Sequence, residues 1–255
     1  MHKLFLVAAI IIMSPIFAQN RRGPPEGFTA GVGAIYVSSL YKGQEYRFQP
    51  IPSFSINYGR FSMFGPRLAY RVLGEQGNGI SLIALPAFFD GYDAEDSPAL
   101  SGMDARKGTA NVGASFNYRI KGITLLGSYT KDILGIHGGS SASLSLRTGI
   151  PINVIFKSLP FTFIGFGAGV RYSSESFVNY YYGVKQSEAA LDRPAYISTS
   201  ALNPFINFIT RIKVTNDWMF MATFNREYFN DKITASPIVD KESIYRIFSN
   251  FSYLF

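Results

Sequence analysis

A chain of 255 residues without a single cysteine carries no disulfide framework and no thiol-based catalysis or metal binding. Charged residues make up 16% against 47% hydrophobic and 16% aromatic, which is sparse in charge for a soluble domain of this length. The formal net charge of +7 is dispersed with no basic block, which argues against a nucleic-acid partner.

Met1-His2-Lys3 is a short basic start, Leu4 to Met13 is apolar, and Ser14 to Ala18 supplies small residues around a cut after Ala18. That pattern predicts a cleavable signal peptide over 1–18 and export of the rest, with the net charge falling to about +6 once Lys3 is gone. The apolar stretch is too short for a spanning helix, and no later stretch reaches the roughly 20 apolar residues that one needs. Residues 19–27 (QNRRGPPEG) read as a polar periplasmic lead.

From Phe28 to Phe255 the chain reads as strand, turn, strand. The alternation is cleanest over 109–120, where Ala110, Val112, Ala114, Phe116, Tyr118 and Ile120 share one face and Asn111, Gly113, Ser115, Asn117 and Arg119 the other. Residues 143–154, 163–172 and 206–214 repeat it, with Gly, Ser and Asn crowding the polar face. A greasy exterior around a narrow polar lumen fits that division better than a core filled by large residues. About eleven strand candidates emerge: 28–38, 46–58, 61–73, 79–90, 108–120, 122–132, 140–156, 161–173, 197–214, 217–229 and 243–255. Bacterial single-chain barrels have even strand numbers, so twelve is expected and ten is the alternative. The doubtful stretch is 46–90, where Pro50, Pro52, Pro66 and Pro86 blur the pattern.

The fold class is therefore an all-β, single antiparallel transmembrane β-barrel over 28–255, in the outer membrane of a Gram-negative bacterium. Its partners are outer-membrane lipid and lipopolysaccharide. Gly122, Ser158-Leu159 and Thr215-Asn216 are tight, periplasmic links; 91–107, 133–139, 174–196 and 230–242 are the longer, extracellular ones. Trp218, Phe220 and Phe224 suggest an interfacial girdle. The final strand carries a stripe including Phe251, Tyr253 and Phe255, the form of a closing strand and of a signal to the barrel-assembly machinery.

Two features could carry function. Strand parity turns Arg119, Arg147, Arg171, Arg211, Lys213 and Arg246 inward, with Arg67 and Arg71, against few acids, Glu227 being the clearest. Either these cations pair with loop carboxylates such as Asp93, Glu95, Asp96 and Asp104 and close the lumen, or they line an anion-favouring passage. The second feature is the segment from Asn179 to Tyr196, aromatic at its start, with a possible helical turn at Ser187-Glu188-Ala189-Ala190. It is either a partner- or glycan-binding loop or a cover folded over the barrel mouth.

Past the leader, His137 is the one histidine, and Ser140 lies beyond Gly138-Gly139 on no shared strand face. A base and its nucleophile must lie within hydrogen-bond reach. The sequence therefore predicts no enzyme, no catalytic residue, no zinc site and no cofactor. The acids at Asp90, Asp93, Glu95, Asp96 and Asp104 suggest at most a surface cation or lipopolysaccharide contact.

Within the segment from Asn179 to Tyr196, after Tyr180, the residues Tyr181-Tyr182-Gly183-Val184, a short Ser/Glu/Ala run and Arg193-Pro194-Ala195-Tyr196 resemble the signature of the MipA/OmpV family. Tyr46-Arg47 with Pro50 and Pro52, Lys131 to Gly135 with His137-Gly138-Gly139, Ser236 to Val239 and the final Ser252 to Phe255 fit the same pattern in order. The resemblance spans nearly the whole mature chain. It implies an outer-membrane β-barrel acting in the envelope as a scaffold that joins a murein hydrolase to a murein synthase, or as an adhesin-like surface protein. It implies no catalytic residues.

Overall fold

A computed structural model describes residues 26–44, 46–75, 77–87, 91–155 and 160–255. The expected signal peptide, most of the lead, Asp90 and the Ser158-Leu159 link lie outside them. Twelve strands follow one another in chain order: β1 Gly27–Ser38, β2 Tyr46–Tyr58, β3 Phe61–Phe64, β4 Arg67–Glu75, β5 Asn78–Ala87, β6 Thr109–Ile120, β7 Ile123–Asp132, β8 Ser140–Pro151, β9 Thr162–Ser173, β10 Ala201–Lys213, β11 Trp218–Tyr228 and β12 Ser243–Leu254. Every neighbour is antiparallel, and β1 pairs with β12 from Thr29↔Leu254 to Val37↔Arg246, closing the barrel.

The even number comes from dividing the expected strand 61–73. Gly65 sits at φ 51°, a left-handed conformation that glycine adopts freely. Pro66 follows with no N–H to extend a ladder. The chain reverses there, and β3 and β4 form a short hairpin. Two other strands are shorter than expected: β8 stops at Pro151 before a 3-10 turn over Ile152–Val154, and β10 starts only at Ala201.

Leu144, Leu146, Ile150, Ile164, Phe166, Val170 and Tyr172 point outward and are exposed, while Gly165, Gly167 and Arg171 point in. Their exposure is to lipid, where large apolar side chains are stable. Trp218 stacks on Phe251 with ring centroids 4.7 Å apart, and Phe255 meets Phe28 at 5.4 Å, making an aromatic belt at one end of the β1–β12 seam. Tyr36 stacks between Tyr46 and Tyr245 at 5.0 and 5.7 Å at the other end. The start of β1, the end of β12 and the turns at 59–60, 121–122 and 214–217 share the first end. The long connections cluster at the second, which in an outer-membrane barrel is the extracellular one.

Candidate functional site

The lumen is filled in layers. Nearest the periplasm, Arg67, Arg147 and Arg211 lie close enough for the charge of each to act on the next. Arg71 donates to the Gly59 carbonyl at 2.9 Å, while Arg119 and Lys213, inward by parity, sit exposed at the rim. Interleaved with them and rising above them, Ile35, Ile209, Met221 and Phe248 form an apolar cluster, with Ile51, Phe64 and Phe163 packed against it; Met221 and Phe163 stand opposite Arg211 in the ladders and Phe64 opposite Arg67. Above the cluster Glu227, only 3% exposed, takes Arg246 at 3.2 Å and Arg171 at 3.3 Å, and Asn203 donates to it at 3.4 Å. The clearest inward acid thus serves two of the inward arginines.

The acidic loop side chains go elsewhere than expected. Asp96 pairs with Arg47 at 2.9 Å, and Asp104 pairs with Lys185 at 2.6 Å, which holds its carboxyl below the usual range. Neither reaches the barrel arginines named from sequence.

The mouth is covered by a built plug centred on α1, Glu175–Tyr182. Helix C-termini leave carbonyls without partners. Here three separate loops supply the donors. Arg106 Nε donates to Tyr180 O at 2.6 Å, Tyr41 hydroxyl to Tyr181 O at 3.2 Å, and Ser236 hydroxyl to Tyr182 O at 2.6 Å. The helix ends where Gly183 N–H donates to Asn179 O at 3.0 Å.

The segment after α1 locks back on itself. Val184 and Tyr196 exchange backbone hydrogen bonds at 2.9 Å, and Ala190 pairs with Arg193. Glu188 is buried and bidentate to Arg106 Nη2 at 2.8 and 2.7 Å, and it also accepts the N–H groups of Asp104 and Lys185. Arg193 is buried as well and donates to the carbonyls of Glu188, Ala99 and Ser101. Of the segment singled out from sequence, Tyr181, Gly183, Val184 and Arg193 are buried; Tyr180, Tyr182 and Tyr196 are half-buried; Pro194 is exposed. The structure brings them together as a cover over the mouth.

His137 belongs to the same plug. Its Nδ1 accepts from the Gly139 N–H at 2.9 Å, and its ring lies among Phe177, Tyr180 and Tyr181. Asp132 accepts from the Thr109 hydroxyl and from the N–H groups of Leu134, His137 and Gly138, fixing the 133–139 loop. Burial pushes the His137 imidazole below its ordinary value, opposed by the nearby Asp132 carboxylate. A base depressed in the folded state is stabilising while neutral. That contribution is present above the unfolded value of about 6.5 and is lost as pH falls through the folded one. Acidification from pH 7 to 5 is therefore expected to raise protease nicking of the surface loops, and His137→Phe to flatten that pH dependence. Cleavage of intact cells at each pH is the check.

The family described as MltA-interacting protein MipA matches residues 30–255. The chain belongs to the MipA family. Outer membrane protein OmpV of Vibrio cholerae is 26% identical over 262 aligned residues, covering 99% of this chain and 98% of OmpV. The protein named MltA-interacting protein in Escherichia coli K12 is 24% identical over 89% of this chain and 90% of its own length. A solved outer membrane channel, COG4313 of Pseudomonas putida F1, superposes with a TM-score of 0.52 at 11% identity, covering 94% of this chain and all of the channel. That likeness concerns the fold alone. As a MipA-family barrel the protein resides in the outer membrane, and relatives from Vibrio cholerae and Escherichia coli are named as outer-membrane proteins.

Proposed function

We propose that this MipA-family barrel is an envelope interaction protein that docks a murein hydrolase or synthase at its periplasmic end and performs no catalysis itself. The observation that carries the reading is a lumen occupied along its height: an apolar cluster, then the Glu227 ion pairs, then a plug tied down by three loops. A barrel stoppered in this way is suited to present surfaces. Its periplasmic rim exposes Arg60, Arg119, Lys121 and Lys213, a cationic edge for an acidic partner. The Escherichia coli relative's name supplies the partner class. The C-terminal stripe of Phe251, Tyr253 and Phe255 would be read by the assembly machinery.

The test is an affinity column carrying the folded barrel. Murein enzymes are expected to be retained from solubilised envelopes, and changing the four rim cations to glutamate is expected to cut retention at least tenfold at low salt. A column that retains none removes the scaffold reading. A second reading, an anion-favouring pore, draws on the proximity of Arg67, Arg147 and Arg211. It requires anion-selective conductance in planar bilayers, and an electrically silent barrel ends it.

A further inference from the structure

Between the Glu227 ion pairs and the plug lies a chamber of about 110 Å³. Its polar lining comes from the barrel wall: Asn111 of β6, Thr130 of β7, Ser141 of β8, Arg171 and Ser173 of β9, and Arg246 of β12, beside Glu227 and Asn203. Its apolar lining comes mostly from above. Phe177 and Tyr182 belong to α1, and Phe229 and Ile233 to the connection after β11, with Leu85 and Ala87 added from β5.

Two guanidinium groups meet one carboxylate here. Glu227 takes Arg246 Nη1 at 3.2 Å, Arg171 Nε at 3.3 Å and Asn203 Nδ2 at 3.4 Å, so both its oxygens are occupied. Asn203 is spent as well, since its oxygen accepts the Asn230 N–H at 3.1 Å. Asp132, two residues beyond Thr130 on the same face, is filled by the Thr109 hydroxyl and by three backbone N–H groups. Among the described residues, the two Nη groups of Arg171 and the Nε and Nη2 of Arg246 make no hydrogen bond. Ser173, only 2% exposed, and Asn111 likewise have no side-chain partner among them. Half-buried cations in excess over acid, with N–H groups unspent, call for an anion.

The two linings define which anion. An arginine edge matches the planar pair of oxygens on a carboxylate, and the aromatic and aliphatic roof matches a hydrocarbon tail. An engineered cavity of about 150 Å³ holds benzene, so this chamber fits roughly five or six heavy atoms, the size of propionate or butyrate. Phosphate or a halide would leave the roof without a partner, and a membrane fatty acid is too long. A second cavity, of about 150 Å³, shares Phe177, Tyr182 and Arg246 with the chamber and is lined by Ser38, Ser39, Gln44 and Arg47 besides. Arg47 and Arg246 flank Val37 in the ladders. A polar, cationic path therefore leads from the part-exposed Arg47 through Arg246 to Arg171.

We propose that the chamber beneath the plug binds a short-chain carboxylate. Arg171 and Arg246 hold its head, and Phe177, Phe229 and Ile233 cover its tail. The site goes beyond the docking role and does not depend on it.

The experiment titrates carboxyl-¹³C butyrate into the full barrel in nanodiscs of zwitterionic lipid and follows its ¹³C resonance, with empty nanodiscs as the blank. Saturable binding is expected, with butyramide and inorganic phosphate each competing at least tenfold more weakly than unlabelled butyrate. Arg171→Gln is expected to weaken binding at least tenfold while Glu227 keeps Arg246. Ser141→Leu fills the chamber without touching a charge and is expected to abolish binding with heat-modifiable mobility retained, so the test stands even where Arg171→Gln fails to fold. Uptake no greater than by empty nanodiscs, or binding that survives Ser141→Leu, overturns the proposal. Competition by butyramide or phosphate equal to that by butyrate overturns it too, because the charge or the tail would then not be read.

Discussion

Glu188→Ala is expected to release the extracellular plug while the barrel stays folded. The carboxylate is buried, bidentate to Arg106 and accepting from two backbone N–H groups. Removing one partner of a buried ion pair leaves the other charge without compensation, a loss of about 3–5 kcal/mol. Arg106 is also the donor to the Tyr180 carbonyl at the end of α1, so the loss spreads to the helix and the segments it joins. When local opening is fast relative to cleavage, proteolysis follows the open population. That energy corresponds to a rise of roughly two to four decades in cleavage within 174–200 and 91–108. Trypsin on intact cells, with heat-modifiable mobility reporting the barrel, makes the measurement. Glu188→Gln separates charge from shape, since its amide oxygen can still accept from Asp104 and Lys185. An unchanged cleavage rate in Glu188→Ala would mean that the plug is held by something else.

The barrel was legible in the sequence because alternation over a lipid-facing wall is nearly free of exceptions. Ala110 to Ile120 and Ile164 to Tyr172 declare their faces with no tertiary information. The expected twelve strands are formed, and the one missing from the eleven candidates lay where proline and glycine dominate. At Gly65-Pro66 a two-residue reversal leaves no polar loop to read, so two short strands look like one. The prolines at 50 and 52 obscured the pattern of β2, yet both stand in its ladder with β1, opposite Ala34 and Val32.

The plug was only partly legible. Its motif was visible, but α1 was not expected: Asn179-Tyr180-Tyr181-Tyr182 has strand-forming composition, and its helical form is imposed by three loops that cap its carbonyls. The expected turn near Ser187 is a 3-10 turn over Gln186–Glu188. The Arg47–Asp96 pair gave no signal, because nothing local brings residues so far apart in the chain to one rim.

Gly31→Val is expected to prevent assembly of the folded barrel. Gly31 lies on β1 opposite Ser252 of β12, at the seam that closes the cylinder. A Cβ there would sit 2.1 Å from the Phe251 carbonyl oxygen and 2.6 Å from the Ser252 Cα, both backbone atoms. No side-chain rearrangement can relieve a clash with backbone; one strand must move. Displacing β12 from β1 would expose two edges to hydrocarbon, each with donors and acceptors that no water can satisfy. The seam is also where Phe28 meets Phe255, so the aromatic belt would part with the ladder. The variant should be lost from outer-membrane fractions and fail to show heat-modifiable migration on refolding into detergent. Gly27→Ala, on the same strand but with Leu254 Cδ1 3.5 Å from its added Cβ, is the matched control and should assemble normally. Normal assembly of Gly31→Val would mean that β1 and β12 do not close the barrel in this register.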